Sequence, residues 1–174
     1  NREIFGRRPS SLNGKTIVIE FARGGPDGAS MPLPTTYGYA YAFSQLSEAI
    51  LERAAVLYIW VTPEESRRKN RARANPDDPG SILNHMCPED VMINEYGSCD
   101  MEHLLETSDK SGTVTVDAHG RRFHLPLARF DNREDLTTFV RDDDEWQSED
   151  VNKLEGALSD ALARLWETYD TTRS

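Results

Sequence analysis

The residues best able to do chemistry crowd onto one short stretch. Arg67, Arg68, Lys69, Arg71 and Arg73 fill five of the seven positions from 67 to 73, in a chain whose net charge is −10. On a helix, Arg67 and Arg71 stand four apart and share a face, where like charges repel by about 0.2–0.5 kcal/mol per pair. A bound anion would relieve that repulsion. The guanidinium suits a phosphate, because its planar fork grips two oxygens and keeps its charge. The plainer alternative is a solvated helix balanced by Glu64, Glu65, Asp77 and Asp78.

Other candidates are more scattered. Glu20 ends an apolar run, and Arg23 follows in a glycine-rich turn. A carboxylate there suits a Mg²⁺ ion or its water, or a proton from an attacking hydroxyl; a Glu20–Arg23 ion pair is the structural alternative. The segment Gly24-Gly25-Pro26-Asp27-Gly28 lacks the Lys-Ser/Thr ending of a phosphate loop. His85, Cys87, Cys99 and His103 have poor spacing for zinc, and no metal is expected. Tyr37 and Tyr41, with Tyr39 between them, could line a substrate pocket or simply pack. Asn132 and Asp135 could meet a ligand, although capping the next helix is the better-supported role for Asn132. The acidic run Asp142–Glu145 reads as a solvated turn.

These residues need a frame. Residues 15–21 (KTIVIEF) and 55–61 (AVLYIWV) are continuous apolar runs that predict neighbouring parallel strands covered on both faces. Between them, 36–54 has helical spacing. Thr62-Pro63-Glu64-Glu65 opens a helix with an N-cap hydroxyl, Pro at the first position and Glu in the first turn. Short helices are expected at 88–95 and 100–106, strands at 113–117 and 121–130 with a turn at 118–120, and a helix over 133–141. Val151, Leu154, Leu158, Leu162, Leu165 and Tyr169 mark a C-terminal amphipathic helix over 149–170. The expectation is one α/β domain over 1–174, a three-layer sandwich with a mainly parallel sheet. Residues 62–106 would form a lid-like helical insertion, and function would sit at the carboxyl ends of the strands.

Composition narrows the function classes. A length of 174 residues suits one core, and no apolar run is long enough to span a bilayer. Thirty acidic against twenty basic residues argue against a nucleic-acid-coating surface. Two Cys do not make a disulfide framework. A cytoplasmic domain without membrane partners is expected, and a homodimer is open. The first residue is Asn, and the opening residues read as the middle of something longer.

Three stretches, 15–25 (KTIVIEFARGG), 56–73 (VLYIWVTPEESRRKNRAR) and 125–135 (LPLARFDNRED), together resemble the latter part of a P-loop kinase-like fold of the nucleoside and nucleotide kinase group. They are similar to the strand after the phosphate loop, the next strand with its Arg-rich lid helix, and the last core strand with the loop nearing the adenine. The match spans roughly residues 12–141. The resemblance implies Mg²⁺ and ATP, and phosphoryl transfer to a small-molecule or nucleotide substrate. Glu20, Arg23, Arg67 and Arg71 would be catalytic. Arg68, Arg73, Asn132 and Asp135 would bind nucleotide or phosphate, and Tyr37 and Tyr41 the substrate. The G-x-x-x-x-G-K-[S/T] loop itself is missing; Gly14-Lys15 precedes a run instead of following one. The fold would then be incomplete at its N-terminus. Two other readings stand: a non-catalytic binding or regulatory module that recognises a phosphorylated or acidic ligand through the Arg-rich helix, and another α/β enzyme such as a phosphate-ester hydrolase.

Overall fold

A computed structural model describes residues 11, 13–74, 86–142 and 144–173. His85, Asp77 and Asp78 lie outside the described residues. The chain is mixed α/β. Helices α1 (Gly38–Ser44) and α2 (Glu48–Leu51) precede strand β1 (Val56–Trp60). Then come α3 (Pro63–Ala72), α4 (Glu89–Tyr96), α5 (Met101–Glu106), β2 (Thr113–Ala118), β3 (Arg121–Asp131), α6 (Phe139–Asp142) and α7 (Ser148–Arg173).

The sheet is smaller than expected. Its order is β1–β3–β2. β1 runs parallel to β3, with Val56 opposite Leu127 and Trp60 opposite Asp131. β2 runs antiparallel to β3, with Thr113 opposite Pro126 and Ala118 opposite Arg121. One pair is therefore parallel and one antiparallel, which departs from the mainly parallel sheet of the sequence reading. β2 and β3 are joined tightly through His119 and Gly120, both at positive φ.

β3 is the centre of the fold. By strand alternation, Phe123, Leu125 and Leu127 face one way and Ala128 and Phe130 the other. The first set packs with Val114, Val116, Phe43, Leu51 and Met101 in one core cluster. The opposite face is covered by α7, whose Ala161 is fully buried. Met101 lies in the stretch read as lid-like, yet it is buried in this core.

Three expectations need correction. Residues 15–21 are not a strand beside β1. They take no regular structure, and Ile17, Val18 and Ile19 are exposed. An apolar run becomes a strand only where another strand meets its N–H and C=O groups, and no described strand lies beside this one. The helix expected over 133–141 shrinks to α6, because Asp135 adopts φ +57 and breaks helical geometry. The helix over 36–54 splits into α1 and α2 around Gln45–Ser47.

Candidate functional site

Because β1 and β3 are parallel, their carboxyl ends share one edge of the sheet, and α3 and the loop after β3 leave from it. Thr62 caps α3: the Glu65 backbone N–H donates to its Oγ1 at 3.1 Å, as the Thr-Pro-Glu-Glu pattern predicts. The two ends are stitched by a bond from the Asn132 N–H to the Trp60 carbonyl, 2.9 Å. Asn132 is buried, and its side chain is fully used within the loop. Its Oδ1 accepts from the Leu136 N–H at 2.7 Å, and its Nδ2 donates to Thr137 Oγ1 at 2.9 Å.

Asp135 anchors α3 to that loop. Lys69 Nζ stands 2.8 Å from Asp135 Oδ1, and Arg68 donates to Asp135 Oδ2 at 2.6 Å. Arg68 also forks onto both Glu65 oxygens, at 2.6 and 2.7 Å. Lys69 is the better shielded cation, and its contact with Asp135 is an ion pair and not a well-directed hydrogen bond. Burial pushes the Asp135 carboxyl up, but Lys69, Thr138 and Arg68 outweigh it and hold the group well below the ordinary carboxylate range.

The remaining cations of α3 are held more loosely. Arg67 reaches Glu64 at 3.6 Å, and Arg71 reaches Glu89 on α4 at 3.3 Å. Arg73 is exposed and has no carboxylate partner among the described residues. Glu64, Glu65, Asp135 and Glu89 thus supply the balance among the described residues; of the four carboxylates expected there Glu64 and Glu65 take part, while Asp77 and Asp78 lie outside the described residues. Trp60 adds an aromatic plate at the same edge, with the guanidinium carbons of Arg129 and Arg133 at 4.1 and 4.0 Å from its ring centre. Arg133 is in turn held by Asp131 at 2.8 Å, and Arg129 by Glu102 at 3.2 Å.

The other candidates stand apart from this edge. Glu20 and Arg23 are exposed and do not pair with one another. Tyr37 and Tyr41 are half-buried around α1. It is Tyr39 that faces inward, with ring centres 6.0 Å from Phe21, 5.9 Å from Phe43 and 6.2 Å from Tyr58. Beside this cluster the Tyr58 hydroxyl lies 3.2 Å from Cys99 Sγ. Burial pushes both the Tyr58 phenol and the Cys99 thiol up, the opposite of what an activated thiolate needs. Among the described residues, no three His, Cys, Asp or Glu form a group that could hold a metal ion.

The glycine turn has a packing role that spacing did not show. Gly25 and Ser98 exchange two backbone bonds, both 3.0 Å, and the Asp27 N–H donates to the Ile93 carbonyl at 2.9 Å. A Cβ on Gly24 or Gly97 would strike the opposing backbone, so the glycines permit two segments of the chain to touch. Asp100 is the functional-looking residue that sequence reasoning missed. It is buried, and its two oxygens accept from the Tyr39 and Ala40 N–H groups at 2.8 and 2.9 Å. The contact ties α1 to α5 across sixty-one residues of sequence, a separation with no local signal.

Two shallow concavities lie elsewhere. One, of about 460 Å³, covers the turn at Asp117–Arg122. The other, of about 380 Å³, is lined by Ala55, Leu162, Leu165, Trp166 and Tyr169. The first lies where β2 ends and β3 begins and the second beside the start of β1, at the end of the β1–β3 pair opposite to the one α3 leaves from. No protein-family model matches the chain, and neither a curated protein nor a solved structure is similar to it. Among the described residues, no helix is long and apolar enough to cross a membrane.

Proposed function

We propose that this chain is the anion-clamping part of an ATP-dependent phosphotransferase of the P-loop kinase-like kind, acting on a small-molecule or nucleotide substrate in the cytoplasm. One observation carries the reading. α3 leaves the carboxyl end of a parallel strand pair bearing Arg67, Arg71 and Arg73, the three cations that the Asp135 network does not hold. Lys69 and Arg68 fix the helix to the loop after β3, so Arg71 and Arg73 stand exposed on a tethered support with Arg67 partly covered on the same helix. Guanidinium groups so placed neutralise charge spreading over phosphoryl oxygens. The three-layer, mainly parallel sheet belongs to this proposal, as the form the fold takes once its phosphate-loop portion is present.

Mg²⁺ and ATP are not fitted by the residues present. Asp135 is engaged by two cations, Glu20 stands alone, and no phosphate loop occurs in the sequence. What the residues do fit is a phosphate chain lying along α3. Arg68 and Asp135 position that helix instead of meeting the ligand, and Asn132 shapes the loop.

The test uses inorganic tripolyphosphate and isothermal titration calorimetry. Changing both Arg67 and Arg71 to Gln should weaken binding by tenfold or more, since about 1.4 kcal/mol of lost contact is a factor of ten. Lys at both positions should restore it only partly, because a point charge lacks the fork. Equal affinity in the wild type and the double Gln variant would remove the proposal. A second reading is a non-catalytic module for a phosphorylated or acidic ligand, favoured by the exposure of Arg71 and Arg73 on the outer surface of α3. It predicts the same loss of tripolyphosphate binding, but no ATP turnover when a phosphate-loop segment is restored upstream.

A further inference from the structure

The β2–β3 hairpin carries two histidines, and the hydrogen bonds around them fix where each ring keeps its proton. His119 is the simple case. Its Nε2 lies 2.7 Å from the Leu46 carbonyl oxygen. A carbonyl only accepts, so Nε2 bears the hydrogen and the lone pair of the neutral ring is left on Nδ1.

His124 is settled by a chain of hydroxyls. It faces Thr115 across the strand pair, with Nδ1 3.3 Å from Thr115 Oγ1. Thr115 Oγ1 lies 3.0 Å from Ser108 Oγ, which lies 2.9 Å from Thr113 Oγ1. The chain ends on the Lys110 carbonyl, which accepts from Thr113 Oγ1 at 2.8 Å. Each hydroxyl has one hydrogen to give. Thr113 gives its hydrogen to Lys110, so Ser108 must donate to Thr113, and Thr115 must then donate to Ser108. Nothing remains on Thr115 for His124, so Nδ1 is the donor. Thr115 Oγ1 also accepts the Asp109 N–H at 3.0 Å, which fills both of its lone pairs. The opposite direction would hold one bond fewer and leave two oxygens 2.8 Å apart with no hydrogen between them. One hairpin thus holds its two rings in opposite tautomers. The lone pair of His119 lies on the ring nitrogen nearer its own backbone, and that of His124 on the nitrogen farther from it.

We propose that His124 is a nucleophile preset for acylation at Nε2, with an activated ester or anhydride as the acyl donor. The residue is half-buried, and the edge of its ring turned to Thr115 is the Nδ1 edge. The surroundings select the donor class. Asp109 and Asp117 both pair with Arg122, at 3.0 and 2.8 Å, so these three residues carry a net negative charge beside Thr115 and His124. That charge opposes an anionic phosphoryl donor and admits a neutral acyl group. In the step, the Nε2 lone pair bonds to the acyl carbon. The bond from that carbon to its leaving oxygen breaks, and the electron pair goes with the oxygen. The Nδ1 proton passes through water to that oxygen, and Nδ1 then needs a donor. The chain supplies one by reversing. Thr115 turns its hydrogen to Nδ1, Ser108 to Thr115, and Thr113 to Ser108, while the Lys110 carbonyl keeps the Thr113 N–H at 3.2 Å. The acylated ring therefore strands no polar group of the chain.

Two measurements test this, and neither involves α3 or phosphate. Nitrogen-15 NMR of the imidazoles at about pH 8, above the usual imidazole range, should show His124 protonated on Nδ1 and His119 on Nε2. Diethyl pyrocarbonate, followed by peptide mapping in a mass spectrometer, should acylate His124 roughly tenfold faster than His119 or more. Thr115→Val removes the acceptor of the Nδ1 hydrogen. It should let the ring proton redistribute over both nitrogens and slow acylation of His124 several-fold, and Thr115→Ser should restore both readouts. A wild-type His124 protonated on Nε2 overturns the proposal, whatever the variants do. So do similar acylation rates at the two histidines, or a His124 rate indifferent to Thr115→Val.

Discussion

β1 and β3 are neighbours in one sheet, and β1 (VLYIW) is by composition the more apolar of the two, yet it is β3 (RRFHLPLARFD) that is the better buried. β3 has a strand on either side and helices over both faces, and Leu125 and Phe130 are shut from water. Among the described residues β1 has a strand on one side only, and Ile59 stays half exposed. The contrast extends outward. On the β2 side a continuous hydrogen-bonded hairpin packs on α1 and α5, whereas the apolar segment 15–20 pairs with no described strand. An apolar run specifies a wish to be covered, and only the presence of a neighbour decides whether that wish is met. Both outer strands are edges among the described residues, but β2 buries Thr113, Val114 and Val116 whereas β1 buries none of its residues fully.

The contrast is sharpest when one residue is removed from each side of it. Leu125→Ala should cost about 3–4 kcal/mol, because a fully buried Leu leaves a cavity behind. Ile17→Ala should cost under about 0.5 kcal/mol, as for exposed positions. Urea unfolding reads both. Equal costs would mean that the segment is packed like the core.

Gly38→Ala comes next. Gly38 adopts φ +75, and a Cβ there would fall on the Asp100 carboxylate that caps α1. Both the strained backbone and the displaced carboxylate contribute, so a loss of about 2–3 kcal/mol is expected from thermal unfolding. A smaller loss would show that the β2 side is more forgiving than its burial implies.

Asp135→Asn should cost about 2 kcal/mol, less than for a fully buried pair, since Lys69 and Asp135 keep 15% and 21% side-chain exposure. Its pH dependence has a definite sign. The carboxyl is held below its ordinary value of roughly 3.9, so its stabilisation is complete above that value and fades as pH falls below it. Stability measured from pH 6 to pH 2 should therefore fall less steeply in the Asn variant than in the wild type. Parallel curves would mean that Asp135 is not the charge holding α3 to the β3 edge.

What could be read in advance follows the range of the physics involved. The cap of α3, the β2–β3 hairpin, β1 and α7 are set by residues within a few positions of each other, and each was legible. The failure at 15–21 has another origin. Its composition is that of a strand, but a strand is a relation between two segments, and the second is not written into KTIVIEF. The same holds for the site. The cationic run was plain, whereas its control by Asp135 and Glu89, and the tie from Asp100 to α1, join residues far apart in the chain. Tyr39, not Tyr37 or Tyr41, turned inward because the helix begins at Gly38, a detail of phase that spacing alone left open.

The indole of Trp60 turns the α3 edge into an optical gauge. Two guanidinium groups sit about 4 Å from its ring, one on β3 itself and one just past its end. Anything that draws Arg129 or Arg133 away changes the electric field across the ring, and with it the colour and yield of its emission. The chain has three Trp, and the other two, Trp146 and Trp166, lie exposed on or beside α7. With those two changed to Phe, a single built-in fluorophore would report, in real time and without a label, when an anion arrives at the carboxyl ends of β1 and β3.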